Sequence, residues 1–264
     1  MSTELFNLKG KTALITGSTH GLGMAMAMGI GNAGAKIVIN GNSSQEKLEN
    51  AVKYYISKGL DAHGYLFDVS DEKSVIKNII DIEKNIGPID ILVNNAGIIK
   101  RTLIKDMQVK DFEEVIKIDL VAPFIVSKHV VKKMIVRKSG KIINICSMMS
   151  ELGRNSVGAY SSAKGGLKML TKNMATEWAK YNIQVNGIGP GYFATDQTKP
   201  IREDGHPFND FIINRTPTGK WGDPEDLQGA AIFLSSKASD FVNGHILYVD
   251  GGILATIGKP YNES

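Results

Sequence analysis

Short apolar runs alternate along this chain with longer segments in which apolar residues recur every three to four positions. The short runs predict strands buried in a sheet, and the amphipathic segments predict helices that cover it. The predicted strands are 11–16, 36–40, 63–67, 90–93, 141–146, 183–188 and 245–249. The predicted helices are 21–33, 45–58, 71–86, 105–117, 120–137, 158–181 and 224–236.

This alternation of strand and helix predicts a single-domain α/β fold. We expect a Rossmann-like, doubly wound parallel sheet of about seven strands with helices on both faces. A length of 264 residues fits one such domain. Right-handed crossovers place ligands at the carboxyl ends of the strands. The one long irregular segment, 191–223, is interpreted as a lid over the substrate.

Composition narrows the class of protein. Hydrophobic residues make up 42% of the chain, and the net charge of +4 is scattered, so we expect neither a nucleic-acid partner nor a membrane-binding face. The single cysteine, Cys146, precludes an intrachain disulfide and is interpreted as core packing. The first ten residues lack the apolar run of a signal peptide, and no apolar stretch is long enough to span a bilayer. A cytoplasmic location is the resulting expectation.

A glycine-rich turn follows the first predicted strand and has the spacing G-x-x-x-G-x-G. Its residues are Gly17, Ser18, Thr19, His20, Gly21, Leu22 and Gly23. Glycines between a strand and a helix allow the backbone to approach a pyrophosphate, which the amides and dipole of the helix N-terminus then bind. Because glycines also mark ordinary turns, the position in a βα unit carries the prediction.

A second motif combines Tyr160 and Lys164, which are four residues apart, with Ser147, which lies thirteen residues upstream. On a helix the phenol and the ammonium stand on one face. A free tyrosine has a pKa of about 10, and a neighbouring ammonium favours the phenolate. A serine hydroxyl beside the phenol can hold an alcohol or carbonyl oxygen. These groups predict proton transfer for an alcohol/ketone pair; the alternative is an ordinary amphipathic helix.

Two further motifs complete an ordered set. Asn94-Asn95-Ala96-Gly97 follows strand 90–93, and Pro190-Gly191 follows strand 183–188. With the glycine turn and the Ser/Tyr/Lys set, the chain resembles the short-chain dehydrogenase/reductase family along nearly its whole length. The resemblance implies NAD(P)(H) binding by the glycine turn. It also implies cofactor contacts from Asp68, Val69, Asn95, Ala96, Gly97, Tyr160, Lys164, Pro190 and Gly191, and catalysis by Ser147, Tyr160 and Lys164.

One position departs from the family pattern. Many members carry a catalytic Asn in the context N-L-x-x-x-F, and this chain has Asp119 there. An ionised Asp accepts hydrogen bonds but cannot donate them, and it would place a negative charge near Lys164. Asp119 is therefore a catalytic candidate; the alternative is that it caps or kinks its helix.

Within the family, the chain is similar to the gluconate 5-dehydrogenases. The similar stretches are 96–101, 122–128, 141–154, 186–192, 206–213 and 241–255. The resemblance implies reversible oxidation of D-gluconate at C5 to 5-keto-D-gluconate. Alternatives are a reductase of 2-deoxygluconate-type acids, a reductase of β-ketoacyl thioesters, and a non-catalytic nucleotide sensor on the same fold.

Three charged residues are candidates for binding a sugar acid. Arg101 follows the Asn-Asn-Ala-Gly motif, and a guanidinium binds a carboxylate through two parallel N–H bonds. Arg154 and Glu151 lie between Ser147 and Tyr160. Glu151 would accept hydroxyl hydrogens or ligate a cation, although no metal site is predicted. For each arginine the alternative is a solvated surface charge.

The end of the second predicted strand bears on the choice of cofactor. NAD-preferring sites usually place an acid there, which binds the ribose 2′-hydroxyl and repels a 2′-phosphate. No acid occurs between Lys36 and Glu46, and Asn42 and Ser43 can donate to phosphate oxygens. His20 either assists when protonated or only shapes the turn. We therefore expect NADP(H) to be preferred and NAD(H) to be the weaker alternative.

A homotetramer is expected, chiefly from the resemblance. Helices 120–137 and 158–181 would pack against their counterparts in a partner subunit. The apolar residues that motivate this exceed what one sheet face obviously needs and are Val130, Ile135, Leu167, Leu170 and Met174. The alternative is that all five belong to the intrachain core.

Overall fold

The protein is built on one parallel sheet of seven strands. The structure, a computed structural model, describes residues 3–203 and 205–258. The strands are β1 (Thr12–Ile15), β2 (Lys36–Gly41), β3 (Ala62–Leu66), β4 (Ile89–Asn94), β5 (Gly140–Ile145), β6 (Ile183–Pro190) and β7 (Ile246–Val249). Their order across the sheet is β3-β2-β1-β4-β5-β6-β7, and every neighbouring pair is parallel. The predicted fold class is confirmed.

Helices connect the strands on both faces of the sheet. They are α1 (Gly21–Asn32), α2 (Gln45–Ser57), α3 (Glu72–Asn85), α4 (Val109–Ile116), α5 (Ala122–Arg137), α6 (Gly158–Trp178), α7 (Pro207–Arg215) and α8 (Gln228–Ser235). Seven correspond to predicted helices. The exception, α7, lies in segment 191–223, so the prediction that this segment is irregular was wrong. Pro207 occupies the first turn of α7, where a missing N–H does no harm, and the His206 side chain accepts the N–H of Phe208 as the N-cap.

The chain also remains helical where a break between two helices was predicted. A π-helical turn, Lys117–Val121, joins α4 to α5, and Asp119 lies inside it. Single π-turns inserted in a helix occur frequently at functional sites. The predicted start of α4 was too early, because residues 107 and 108 are extended and the helix begins at Val109.

Alternate residues of the strands point to two cores, as strand geometry requires. Ala13 and Ile15 of β1 face a core formed with α1, α2 and α8, whereas Leu14 faces a core formed with α3, α5 and α6. Cys146 is 1% exposed and packs with Leu167, as predicted. Helices on both faces leave the carboxyl edge of the sheet free for a site.

The residues that motivated the oligomer prediction belong to the intrachain core instead. Val130, Leu167 and Met174 are buried, and Ile135 and Leu170 pack against the core from partly buried positions. That interpretation of the five residues was therefore wrong, because each completes the packing of its own helix on the sheet. Among residues 3–203 and 205–258, no helix combines the length and the apolar character needed to cross a bilayer.

Candidate active site

The predicted site residues converge at the carboxyl edge of the sheet. The glycine turn follows β1, Asn95 follows β4, Ser147 follows β5 and Pro190 ends β6. Since the strands are parallel, these four connections leave the sheet at one edge, where ligands bind in folds of this kind. The structure therefore brings the predicted residues to the edge of the sheet at which they were expected.

The glycine turn forms a cradle that side chains would fill. Gly17 has φ +61°, and a Cβ on it would lie 2.9 Å from the Cα of Ala96. A Cβ on Gly23 would lie 2.4 Å from the side-chain nitrogen of Asn95. Gly21, which begins α1 at φ +58°, has open space around it, and the preceding His20 side chain does not cap the helix. Amides of the first turn of α1 are thus available to an anion, which fits a dinucleotide pyrophosphate.

Polar residues around this cradle fix its shape. The Asn95 amide nitrogen donates to the carbonyls of Thr16 and Gly17, each at 2.9 Å. Ser18 is fully buried and donates to the carbonyl of Ile15 at 2.7 Å. The Asn95 and Ser18 side chains therefore hold the cradle in place.

Two residues that support the cradle were missed in the sequence. The Asn40 side chain accepts the N–H of Gly17 at 3.2 Å and donates to the carbonyl of Phe67 at 3.0 Å. The Tyr55 hydroxyl donates to the carbonyl of Ser18 at 2.7 Å from α2. Asn40 was recognisable only as a polar residue inside an apolar strand, and nothing in the sequence marks Tyr55.

The residues expected near the adenosine end lie at the exit of β2 and β3. Asn42 and Ser43 are exposed, and a Cβ on Gly41 would lie 3.2 Å from a methyl carbon of Thr19. The Thr19 hydroxyl in turn lies 3.1 Å from Nδ1 of His20. Two further residues follow β3: Asp68, which is exposed and accepts the N–H of Ser70, and Val69, which is buried.

Two other predicted cofactor contacts lie elsewhere in the site. Leu22 of α1 packs against the core. Gly191, which follows β6, passes so close to Asp250 that a Cβ on the glycine would lie 2.7 Å from the Cα of Asp250.

Tyr160 and Lys164 stand one turn apart near the start of α6. The Lys164 side chain is buried; its Nζ lies 5.5 Å from the centre of the Tyr160 ring and donates to the carbonyl of Ile145 at 2.8 Å. That carbonyl ends β5, so the ammonium is fixed to the sheet. Tyr160 is half-buried and packs with Met148 and Met149, the two residues that follow Ser147. The structure thus brings the three predicted catalytic residues together.

Ser147 is held by a short turn that also reaches Lys164. Its hydroxyl accepts the N–H of Met149 at 3.1 Å and keeps its own proton free to donate. The Ser150 hydroxyl accepts the N–H of Ser147 at 3.3 Å and donates to the carbonyl of Lys164 at 2.9 Å. Ser150 therefore links the serine turn to the catalytic helix. Its position three residues after Ser147 was a capping signal that sequence reasoning did not use.

Asp119 forms a buried ion pair with Lys164. Its carboxylate is fully buried; Oδ1 accepts the N–H of Ile98 at 2.8 Å, and Oδ2 lies 3.2 Å from Nζ of Lys164. A Cβ on Gly97 would lie 2.8 Å from Oδ2, so this glycine allows the loop to approach the carboxylate. Asp119 therefore contacts a predicted catalytic residue and does more than shape its helix.

Each member of this pair shifts the pKa of the other, and the two shifts have opposite directions. Burial alone would lower the pKa of Lys164, but the Asp119 carboxylate and the neighbouring Tyr160 raise it above the ordinary lysine value. Burial raises the pKa of Asp119, while Lys164 and the N–H of Ile98 act to lower it. A raised carboxyl pKa would favour a neutral Asp119, whereas the raised lysine pKa requires an anion. We assign the pair as charged at neutral pH because Oδ1 accepts the N–H of Ile98 and Oδ2 lies 3.2 Å from the ammonium.

The candidate substrate-binding residues lie among cationic and aromatic side chains. Arg101 is exposed, and its loop is joined to the loop of Arg154 by the Thr102 N–H, which donates to the carbonyl of Ser156 at 3.0 Å. Tyr192, which follows Pro190-Gly191, packs with Tyr160 in one cluster. Nothing in the sequence analysis had singled out Tyr192; its position two residues after Pro190 was the available signal.

Glu151 is engaged elsewhere. The hydroxyl of Tyr248 on β7 donates to its carboxylate at 2.5 Å, and Lys168 on α6 contacts the same oxygen. The hydrogen bonds from these two donors lower the pKa of Glu151. The structure therefore pairs this candidate with β7 and α6. Within the described ranges there is no group of three or more histidine, cysteine or acidic side chains suited to a metal ion.

Comparisons with known proteins agree with this geometry. The family model described as short chain dehydrogenase matches residues 11–206. A 2-dehydro-3-deoxy-D-gluconate 5-dehydrogenase from Formosa agariphila is 74% identical over 263 residues, covering 100% of both chains.

Solved structures extend the similarity to the fold. A 2-keto-3-deoxy-D-gluconate dehydrogenase from Streptococcus agalactiae shares 57% identity at a TM-score of 0.83, over 96% of this chain and 97% of its own. A gluconate 5-dehydrogenase from Burkholderia cenocepacia in complex with NADP and tartrate shares 43% identity at a TM-score of 0.93, over 97% and 100%. The similarity covers nearly the whole chain and includes the site described above.

Proposed function

We propose, from the premise that this chain belongs to the short-chain dehydrogenase family, that it transfers a hydride between NADP(H) and C5 of a six-carbon sugar acid. The observation that carries the proposal is the Tyr160–Lys164 pair beside Ser147, at the sheet edge where the glycine cradle opens. The family membership makes the chain an oxidoreductase.

The cofactor supplies a nicotinamide ring that accepts or donates the hydride. In this chain the glycine cradle and the first turn of α1 would hold the pyrophosphate, and Pro190 and Gly191 would lie at the nicotinamide. NADP is proposed because β2 ends at Asn40-Gly41 without an acid, and because the Burkholderia relative carries NADP. Asn42 and Ser43 follow Gly41, which lies near Thr19, and the Thr19 hydroxyl contacts His20. Asn42, Ser43 and His20 would bind the 2′-phosphate.

The chain's own residues move the proton. In the oxidation direction the Tyr160 phenolate takes the proton of the substrate hydroxyl, and Ser147 donates a hydrogen bond to the same oxygen. The Lys164 ammonium stabilises the phenolate from 5.5 Å, and Asp119 holds that ammonium in place. General acid–base catalysis of this kind contributes about 10²–10⁴-fold in rate. In reduction the same groups return the proton to the carbonyl oxygen.

Two sugar acids are candidate substrates. The sequence resemblance favours D-gluconate, which would be oxidised to 5-keto-D-gluconate. The relative that is 74% identical is a 2-dehydro-3-deoxy-D-gluconate 5-dehydrogenase, which favours the 2-keto-3-deoxy acid. Both substrates carry a carboxylate four carbons from C5, and Arg101 is proposed to bind it.

The test measures the rate of change of nicotinamide absorbance for both acids, for 2-deoxygluconate and for a β-ketoacyl thioester, each with both cofactors. We expect turnover of at least one of the two sugar acids, with kcat/KM higher for NADP(H). Turnover of the thioester alone, or a tenfold preference for NAD(H), would contradict this function.

The same proposal includes a lid and a tetramer. Segment 191–223, which contains α7, would cover the bound substrate. Subunits would associate through the exposed apolar side chains of α5 and α6, of which Phe124 and Met169 are 45% and 55% exposed, together with Val121 of the preceding π-turn, which is 40% exposed. Light scattering tests the association: a monomer at micromolar concentration would refute it.

A further inference from the structure

Tyr192 occupies the junction between the catalytic residues and the lid. Its ring is half-buried and packs edge-on against Phe208 of α7, with centroids 5.7 Å apart and ring planes at 82°. It packs in the same way against Trp221, at 5.6 Å and 72°. Trp221 is itself fixed to α7, because its indole N–H donates to the Asn209 side chain at 2.7 Å. The rings therefore hold Tyr192 in one position beneath the lid helix.

Arg154 meets the same aromatic group from the serine loop. Its guanidinium carbon lies 4.8 Å from the centre of the Phe208 ring, which is a cation–π contact. Its Nε–H is buried and has no hydrogen-bond partner among the residues that the structure describes. A buried charged donor without an acceptor is costly, and such groups in native structures require an explanation. An acceptor supplied by a bound ligand is one.

Charges of both signs lie near Tyr192, because Asp226 and Asp250 line one cavity with it. Burial raises the pKa of Tyr192, while the charges of Arg154 and Arg101 act to lower it and Tyr160 acts to raise it. The Phe208 ring contacts both the Tyr192 ring and the Arg154 guanidinium, so these two groups meet on one side chain. Within residues 3–203 and 205–258, neither Arg101 nor Arg154 lies within 4.0 Å of a carboxylate. The positive charge here has no intramolecular counterion in that part of the chain.

We propose that Tyr192 and Arg154 join Arg101 in a subsite for the acid end of the substrate, organised by Phe208 of the lid helix. The inference rests on the function proposed above and adds two residues to it. The carboxylate accepts from the guanidinium of Arg154, including its free Nε–H, and from the Tyr192 hydroxyl. Phe208 covers the guanidinium and excludes water, which strengthens the charge-assisted bonds. Substrate binding and lid position are coupled, because α7 contributes one wall of the subsite.

This subsite also predicts which acid is preferred. The atoms beside the guanidinium are aromatic carbons of Phe208, and a hydroxyl placed against them would lose its water without gaining a partner. Gluconate carries hydroxyls at C2 and C3, the carbons next to its carboxylate. A 2-keto-3-deoxy acid has a planar ketone at C2, which has no hydroxyl hydrogen to leave unpaired, and an apolar methylene at C3. The subsite therefore favours the 2-keto-3-deoxy acid over gluconate.

The experiment uses four variants of the full-length enzyme: Arg154→Gln, Arg154→Lys, Tyr192→Phe and Phe208→Leu. Matched controls are Tyr54→Phe and Phe241→Leu, which make the same substitutions at exposed positions. KM and kcat are measured with NADP(H) for 2-dehydro-3-deoxy-D-gluconate, for D-gluconate and for the uncharged polyol D-sorbitol. Binding of each acid to the NADP-loaded protein is measured by calorimetry, and NADPH binding by its fluorescence.

A charge-assisted hydrogen bond contributes about 1.5–3 kcal/mol, or roughly ten- to a hundred-fold in affinity. We expect Arg154→Gln to raise KM and the calorimetric Kd for the 2-keto-3-deoxy acid by that factor. Tyr192→Phe and Phe208→Leu should raise both about tenfold, and Arg154→Lys should fall between wild type and Arg154→Gln, because an ammonium lacks the planar fork. Sorbitol kinetics, NADPH affinity and both controls should not change.

Unchanged acid affinity in Arg154→Gln and Tyr192→Phe would overturn the subsite, as would equal losses for the acid and for sorbitol. An enzyme that turns over none of these substrates would refute the proposed function. The calorimetric comparison of wild type and variants would still decide whether the subsite binds the acid. If one substitution at Arg154 prevents folding, as judged by the thermal melt, acid binding by the other Arg154 variant decides the role of this residue.

Discussion

Replacing Asp119 by Asn removes one buried negative charge and preserves most of the local geometry. The Asn oxygen can still accept the N–H of Ile98, which Asp119 binds at 2.8 Å. The Asn nitrogen then replaces the oxygen that lies 3.2 Å from Nζ of Lys164. The ammonium loses its counterion and keeps its bond to the carbonyl of Ile145. The variant also restores the Asn that many family members carry.

The electrostatic consequence can be estimated from the structure. At an effective dielectric constant of about 20, opposite unit charges 3.2 Å apart attract each other by about 5 kcal/mol. The substitution removes this attraction, and burial, which lowers the pKa of Lys164, then acts without the opposing carboxylate. The carboxylate also raises the pKa of Lys164, so its removal lowers that pKa.

Removing the carboxylate makes deprotonation of the Lys164 ammonium easier, because the carboxylate raises the pKa of Lys164. The alkaline limb of the kcat/KM profile for alcohol oxidation reports loss of the lysine proton. That limb should therefore move to lower pH in Asp119→Asn. Asp240→Asn, which removes the partner of Lys141 at the opposite edge of the sheet, is the matched control and should leave the profile in place. A profile that does not move, or that moves to higher pH, would refute the electrostatic role of Asp119.

Three further substitutions test other parts of the site. Tyr160→Phe should lower kcat by at least about 10²-fold with NADPH affinity nearly unchanged, measured by turnover and by fluorescence titration. Ser150→Ala should lower kcat about tenfold and the melting temperature by roughly 2–10 °C, because it removes two hydrogen bonds. Ser150→Thr keeps a hydroxyl and should retain most activity. Equal activity in both variants would show that Ser150 does not support the catalytic residues. Gly41→Asp should shift the kcat/KM ratio toward NAD(H) by repelling a 2′-phosphate, at the cost of a small movement of the Thr19 methyl that lies 3.2 Å from the new Cβ. An unchanged cofactor ratio would show that this strand end does not select the cofactor.

The strands and the edge of the sheet were predictable because their signals are local. Each strand is a short apolar run, and the polar or glycine residues that follow it mark where it leaves the sheet. Helix α7 was missed because Pro200, Gly205 and Pro207 make its surroundings resemble a loop. Its helix-start signal was present, with Pro207 in the first turn and His206 as the cap.

Other features depend on distant residues and leave no local pattern. Asn40 and Tyr55 shape the glycine turn from two different elements, and their partners are backbone carbonyls that the sequence does not distinguish. The apolar residues Val130 and Leu167 face the core rather than a partner subunit. A helix that packs on a sheet along its whole length needs a wide apolar stripe. Residue type alone could not separate these two uses of an apolar side chain.

The central claim is that the chain moves a hydride between C5 of a sugar acid and NADP(H). It is tested most directly with 2-dehydro-3-deoxy-D-gluconate and D-gluconate that carry deuterium at C5 and nowhere else on carbon. The account predicts that the NADPH formed during oxidation contains one deuterium by mass spectrometry and that Tyr160→Phe forms at least about 10²-fold less of it. NADPH without deuterium, or deuterium transfer from a substrate labelled at another carbon, would contradict the account.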